Sequence, residues 1–433
     1  MGSKKRKKSG GNPALRPPLN ARTPARTHPV SASVADAPDM LGVDSYGRAD
    51  RAAGAVSAVG VRSQARTPQE PSAAVEAILK MPVDERQPGA WGWLPGALEE
   101  IEPQAIAVTY SFQAPQAESF RAAIRFTGLR LGVEGDPGPR DKFQRIEQLD
   151  NLPGNGEAIS VTTRVEGVNK GDWRVLAQPM THPDGTDLRS PAKMIETTSH
   201  FSHLAQGTGV HLWAWPLLVG LGAGVALMIQ VLLAARWALP ALGILGLSVL
   251  GCLLGFVGGK LWYLGLHHKP LREIIRPGAC IQGFLLVALA VLALGSLTAG
   301  YPVGKVLDLT TPGIFLGVAV GRPGCLLTGC CAGRPTRSRW GVVSSNRRLR
   351  IRRVPVQLYE ALSGLVIGVA SFVAVLGDVP VAGSVFVGAI AAYVLVRQLL
   401  FRLRVESRTR PGRLVTMAIS GLILLGAAGT FFA

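Results

Sequence analysis

From Leu212 to the C-terminus the chain carries about seven apolar runs of roughly 20 residues, the length that crosses the hydrocarbon core of a bilayer. No other feature constrains the fold as strongly. Backbone polar groups in lipid must be satisfied within their own segment, and for a single run that leaves the helix. The runs fall at approximately 212–235, 238–264, 279–299, 311–331, 356–376, 381–401 and 413–432. Trp213, Trp215, Trp262 and Tyr263 lie near their ends, where interfacial aromatics belong. Residues 212–433 are therefore expected to form a polytopic α-helical membrane domain of about seven transmembrane helices.

The preceding residues divide in two. Residues 1–80 hold 13 Lys/Arg against 6 Asp/Glu, are rich in Pro, Ala, Arg and Ser, and lack helical or strand periodicity. Such a composition buries too little apolar area to offset ordering entropy, so a disordered basic tail is expected. The basic run Lys4–Lys8 is followed by no apolar core, and no secretory signal peptide is expected there. Residues 81–200 instead show short alternating segments at 105–112, 120–126, 143–146, 158–165 and 173–177. Turn clusters such as Gly135-Asp136-Pro137-Gly138-Pro139 and Pro153-Gly154-Asn155-Gly156 separate them. This spacing predicts a small β-sandwich-like domain, similar in pattern to a fibronectin III or Ig-like module, joined by a linker at 201–211. His182, His200, His203 and His211 are scattered over loop and linker, and they read as solvated residues rather than a metal site. No cofactor motif is present.

Charge and cysteine usage narrow the partners. The apolar half holds 21 Lys/Arg against 5 Asp/Glu, and this basic excess flanks membrane segments. An anionic membrane surface is thus the expected partner rather than nucleic acid, whose recognition would want a basic face on a soluble fold. Eight arginines between Arg334 and Arg353, five in 402–413, and Lys269, Arg272 and Arg276 all fall on one side of the seven runs, as does the N-terminal region. By the positive-inside rule that side is cytoplasmic. All five cysteines lie at or beyond Cys252, so the region before the membrane runs is no disulfide scaffold.

Polar residues interrupt the runs in five places. Lys260 ends the second, Gln282 opens the third, and the segment Gly321-Arg322-Pro323-Gly324-Cys325-Leu326-Leu327-Thr328-Gly329-Cys330-Cys331-Ala332-Gly333-Arg334-Pro335-Thr336 closes the fourth. Gln357, Tyr359 and Glu360 open the fifth, and Arg397 lies within the sixth. An arginine in or beside a bilayer costs a few kcal/mol, about 2.5–3.5 at a helix centre, unless something anionic answers it. Gly321, Gly324 and Gly329 would let a backbone and a ligand approach closely, which points to a loop that binds anionic lipid. For Lys260 and Arg404, snorkelling to the interface is the simpler expectation. Glu360 and Arg397 sit deeper and are expected to face a partner or cavity.

Together these clusters resemble the prolipoprotein diacylglyceryl transferase family. The pairs Gly321-Arg322-Pro323-Gly324 and Gly333-Arg334-Pro335-Thr336 match its signature at its spacing, and Pro355-Val356-Gln357-Leu358-Tyr359-Glu360 is similar to its Pro-Ser-Gln-Leu-Tyr-Glu element. Arg397 and Arg404 fall where that family places two arginines seven residues apart. The resemblance covers about 220 residues and leaves residues 1–200 as an added head. Cys325 and Thr328 stand at the family's asparagines, Cys330 at its glutamate, Gln282 at its histidine, and Phe401 at a carboxylate position. A divergent branch carrying Gly-Cys-Cys is the better match.

The resemblance implies transfer of a diacylglyceryl group from phosphatidylglycerol to the lipobox cysteine thiol of a prolipoprotein precursor, in the plasma membrane and without a cofactor or metal. It places Arg322 and Arg397 on the phosphate, with Arg334 secondary, because a guanidinium fork binds phosphate oxygens bidentately and stays charged when buried. Lys260, Gln357 and Tyr359 complete the binding set, with Glu360 and Gln282 in the catalytic one. Gln282 cannot take up a proton, so the base that activates the thiol is open, and Glu360 is the carboxylate at hand. It also implies an outer-facing signature, against the positive-inside assignment. Cys325, Cys330 and Cys331 match no common zinc spacing and read mainly as small apolar fillers. A non-catalytic lipid-binding relative with a partner-recruiting sandwich, and a transporter using Lys260, Glu360 and Arg397, are the rival functions.

Overall fold

A computed structural model describes residues 61–65, 103–180, 188, 190–271, 274, 278–405 and 410–431. Seven helices form its membrane half: α1 Ala214–Arg236, α2 Ala241–Leu266, α3 Ile281–Thr298, α4 Val303–Thr328, α5 Val356–Leu376, α6 Ser384–Leu400 and α7 Arg410–Gly429. All are long and apolar enough to span a bilayer, α6 when counted with the 3-10 turn Phe401–Leu403 that extends it. Large side chains such as Leu242, Leu253, Leu294 and Leu425 face outward, as a lipid-facing surface requires.

The fourth helix begins at Val303, about two turns before the expected 311. Lys305 and Asp308 break the apolar run there, yet Asp308 is fully buried and accepts the backbone N–H groups of Gly383 at 2.6 Å and Phe386 at 2.9 Å. It thereby caps the start of α6 from a neighbouring helix, satisfying donors that would otherwise be orphaned in lipid. A second long-range contact sets the α1–α4 approach. A Cβ added at Gly222 would lie 2.6 Å from the Gly317 carbonyl oxygen, so these backbones touch only because both positions are glycine. Small residues serve this purpose between membrane helices, where no hydrophobic drive operates.

Among the described residues ten strands form two five-stranded sheets. They are β1 Val61–Ala65, β2 Gln104–Gln113, β3 Gln116–Arg130, β4 Lys142–Asn155, β5 Ala158–Glu166, β6 Asp172–Met180, β7 Lys193–Thr198, β8 His200–Phe201, β9 Val342–Ser345 and β10 Leu349–Arg353. The sheet orders are β1-β4-β3-β6-β7 and β8-β2-β5-β10-β9. The inward faces share one core, including Ile106, Tyr110, Phe126, Leu149, Val161 and Trp173. Each expected alternating segment is a strand, but β4 runs on through Pro153 and Gly154, where the sequence predicts a turn. Strand β1 lies within the stretch expected to be an unstructured tail and pairs with β4, Val61 opposite Leu149. The rest of that stretch, and His182, lie outside the described residues.

The sandwich is not a self-contained module. Strands β9 and β10 come from the segment between α4 and α5, and β10 pairs antiparallel with β5, Leu349 opposite Val161 and Arg350 opposite Ser160. Leu349 and Ile351 are buried in the sandwich core. Arg352 anchors the hairpin further by a two-oxygen contact with Glu157 at 2.8 and 2.9 Å. That hydrogen bonding holds the Glu157 carboxyl below the usual carboxylate range. The same hairpin that completes the sheet thus joins the two helices bearing the polar clusters. Leu349→Ala is expected to destabilise the sandwich by about 2–5 kcal/mol through lost burial and the cavity left behind. Thermal unfolding followed by proteolysis at the hairpin checks this, and unchanged resistance would separate the hairpin from the sandwich core.

Candidate active site

The glycine-rich arginine segment is helical rather than a loop through Thr328. It forms the last two turns of α4, with Pro323 inside the helix and Gly329 as a left-handed cap at φ 79°. Gly329 and Cys330 both direct their N–H groups to the Cys325 carbonyl, at 3.1 and 3.0 Å. Two further end carbonyls are met from elsewhere: His211 N–H donates to Leu327 at 2.9 Å and Arg347 Nε to Thr328 at 3.2 Å. Gly329 therefore ends the helix, and Gly324 admits the close approach of α1, its notional Cβ lying 3.0 Å from Trp215 Cα. Gly321 has nothing nearer than Val219, at 3.7 Å. Gly324 and Gly329 thus shape the helix and its packing.

One turn earlier on α4, Arg322 meets two residues from later helices. Its Nη1 lies 3.0 Å from Glu360 Oε2 on α5, and its Nη2 donates to Tyr393 Oη on α6 at 3.0 Å. Arg404, just beyond the 3-10 turn, approaches the other Glu360 oxygen at 2.5 Å. The Glu360 side chain is 1% exposed and that of Arg404 3%, whereas Arg322 retains 17%. Two guanidiniums therefore share one carboxylate, leaving a surplus positive charge, and Arg322 is the member with an accessible side. Phe315 of α4 packs on Tyr393, ring centroids 5.5 Å apart, and fixes the phenol that orients Arg322.

The arrangement corrects one expectation and gives the other residues separate surroundings. Arg404 does not snorkel; it is buried and ion-paired. Glu360 finds its partners in Arg322 and Arg404, and the Arg397 guanidinium lies 5.7 Å from the Phe401 ring centroid. Tyr359 is 38% exposed, since adjacent helical residues point to different faces. Gln282 is exposed at the second residue of α3, with its carboxamide oxygen 3.8 Å from Cys280 Sγ. Lys260 donates to the Ile274 carbonyl at 2.8 Å, outside the Arg–Glu cluster. Gln357 is buried and donates to the Cys330 carbonyl at 2.9 Å, holding the segment after α4 against α5. Arg334 donates through Nε to the Arg404 carbonyl at 2.9 Å.

Tyr393 is a site residue beyond those expected from the sequence, although it carries a signal there. It stands four residues before Arg397 in an apolar run, and a phenol there needs a partner. Sequence spacing also could not show that residues 332–334 run antiparallel to 403–405. Arg334 N–H donates to the Leu403 carbonyl at 2.8 Å, Gly333 bridges Arg404, and Val405 N–H reaches the Ala332 carbonyl at 3.4 Å. That pairing delivers Arg404 to the end of α4. Among the described residues no three His, Cys, Asp or Glu side chains are disposed to hold a metal ion.

Residues 202–432 match the family described as prolipoprotein diacylglyceryl transferase. The chain is similar to the phosphatidylglycerol–prolipoprotein diacylglyceryl transferase of Clostridium tetani, 27% identical over 163 residues, which cover 36% of this chain and 66% of that protein. It is 33% identical over 160 residues to the protein of that name from Dehalococcoides mccartyi, covering 36% and 60%. For the one from Bordetella bronchiseptica the figure is 34% over 130 residues, covering 28% and 48%. The chain thus spans no more than 66% of the length of these relatives. With the family matched over more than half of its residues, and with the signature arginine and the Glu360 helix brought together by the fold, this chain belongs to the prolipoprotein diacylglyceryl transferase family.

Proposed function

We propose that the protein transfers the diacylglyceryl group of phosphatidylglycerol to the lipobox cysteine thiol of prolipoprotein precursors, in the plasma membrane, releasing glycerol phosphate. The observation that carries this is the buried cluster of Arg322, Glu360 and Arg404, with one accessible guanidinium and one charge in excess. The departing group is a phosphate ester, and the charge developing on it must be met by cations fixed in advance in a low-dielectric site. Glu360 holds Arg322 and Arg404 in place, and Tyr393 sets the fork of Arg322 so that its free side faces the phosphate. Arg397, on the same helix as Tyr393, supplies a second cation, and Arg334 a third from the segment after α4.

The sandwich, residues 81–200, is proposed as an added head that holds the α4–α5 connection in register through β9 and β10. The precursor would reach the cluster from that side, since the head and the end of α4 lie together. The test is reconstitution in phosphatidylglycerol vesicles with a labelled headgroup and a lipobox peptide. Glycerol phosphate release that requires the peptide's cysteine is expected, and a Cys→Ser peptide should give none. Lipid binding without release would instead establish a non-catalytic relative.

A further inference from the structure

We propose that Phe401 is a positioning residue of this site. Its ring holds the guanidiniums of Arg397 and Arg404 without neutralising either, and so matches the site to a doubly charged phosphate. This rests on the reaction proposed above and specifies the charge of the ligand that its phosphate site takes. The Arg397 guanidinium carbon lies 5.7 Å from the Phe401 ring centroid, and that of Arg404 lies 5.3 Å from it. Both fall within the roughly 6 Å over which the negative face of an aromatic ring attracts a cation. Phe401 is 5% exposed, so water reaches little of the ring.

The placement follows from the helix. Tyr393, Arg397 and Phe401 stand four residues apart along α6 and its 3-10 extension, which sets them on one face. At one end of this stripe Tyr393 Oη accepts from Arg322 Nη2 at 3.0 Å. At the other end Phe401 meets Arg404, whose backbone faces Gly333 of the segment after α4. The stripe thus runs between the two arginines that share Glu360. Arg404 Nε is buried and has no hydrogen-bond acceptor among the described residues, although Nη2 of the same fork is bound to Glu360. An aromatic face answers such an N–H weakly and leaves the charge of the cation in place.

That last property sets the charge of the site. A carboxylate beside Arg397 and Arg404 would cancel one unit, whereas a ring quadrupole cancels none. Among the described residues Arg322, Arg397 and Arg404 stand against the carboxylate of Glu360, an excess of two positive charges. Arg322 and Arg397 both keep an accessible side. The phosphodiester of phosphatidylglycerol carries one negative charge. In the reaction the lipobox sulfur forms the C–S bond and its proton is released, while the C–O bond to phosphate breaks and its electron pair stays on the phosphate oxygen. The departing group is then a monoester, with close to two charges at neutral pH. The excess fits this product-like state better than the bound lipid, and interactions that strengthen towards the transition state raise kcat.

The experiment places phenylalanines bearing one, two and three ring fluorines at position 401 of the full chain in lipid nanodiscs. Fluorine drains the negative face of the ring at nearly constant volume. Calorimetry then measures binding of glycerol phosphate, a monoester, and of glycerophosphoglycerol, a diester. Monoester affinity is expected to fall stepwise with each fluorine, and by about 10–30-fold in Phe401→Leu. Wild type should prefer the monoester above its second pKa of about 6 and lose that preference below it. Phe401→Glu should bring the two affinities together at all pH values. In turnover of labelled phosphatidylglycerol, Phe401→Leu is expected to lower kcat with little change in the lipid KM. The fluorinated proteins should melt like wild type, so a ring that only packs would leave binding flat across the series. Binding independent of fluorine number, or a monoester preference that survives Phe401→Glu, would overturn the assignment. Wild-type protein that shows the graded binding but releases no glycerol phosphate from the lipid would sink the transferase proposal and leave the phosphate site standing.

Discussion

Arg322→Ala is expected to lower glycerol phosphate release by about 10²–10³-fold, the loss typical when one preorganised donor to a developing anion is removed. The geometry explains why the loss should fall on kcat rather than on lipid affinity. Arg322 is already clamped by Glu360 at 3.0 Å and Tyr393 at 3.0 Å, so it needs no reorganisation when phosphate charge develops. Arg322→Lys should rescue little, because an ammonium cannot bond Glu360, Tyr393 and a phosphate oxygen in one plane. Release of labelled headgroup under saturating lipid measures the effect. Equal rates in wild type and Arg322→Ala would place the phosphate elsewhere in the protein.

Glu360→Gln is expected to have the largest effect on stability, about 3–5 kcal/mol, because it leaves two buried guanidiniums without their counter-charge. Removing one partner of a buried pair costs more than the pair itself contributes, since the remaining charge stays desolvated. Both Glu360 and Arg404 side chains are nearly inaccessible, at 1% and 3% exposure, so water cannot compensate. The double variant Glu360→Gln/Arg404→Met should recover part of the loss by removing one orphaned charge. Midpoints of thermal unfolding in lipid nanodiscs for the two single variants and the double variant provide the cycle. A Glu360→Gln protein as stable as wild type would mean that the cluster is hydrated.

Much of the fold was legible in the residues, for reasons that differ between the halves. The membrane helices announce themselves because length and apolarity alone decide whether a segment can cross lipid. The start of the fourth differs from the expectation because Asp308 looks like a boundary until the N–H groups that donate to it, those of Gly383 and Phe386, are known to be in contact. Strands β2 to β6 were legible from alternation, while β9 and β10 were not. Their sequence, Val342-Val343-Ser344-Ser345 and Leu349-Arg350-Ile351-Arg352-Arg353, reads as a basic membrane loop unless β5 is there to pair with it.

The site divides along the same line. Residue types and spacing by themselves determined that the chain crosses a membrane, that arginines and a carboxylate sit among its spans, and that Arg322 and Glu360 belong to recurrent elements. Tertiary structure alone decided the pairing. It gave Glu360 to Arg322 and Arg404, left Tyr359 and Gln282 exposed, brought in Tyr393, and set Gly333 opposite Arg404. The physical reason is that ion pairs and hydrogen bonds act over about 3–4 Å. Which of several buried charges come that close depends on helix rotation and backbone pairing, set by contacts such as Gly222 against Gly317 and Arg334 against Leu403, many residues away in sequence.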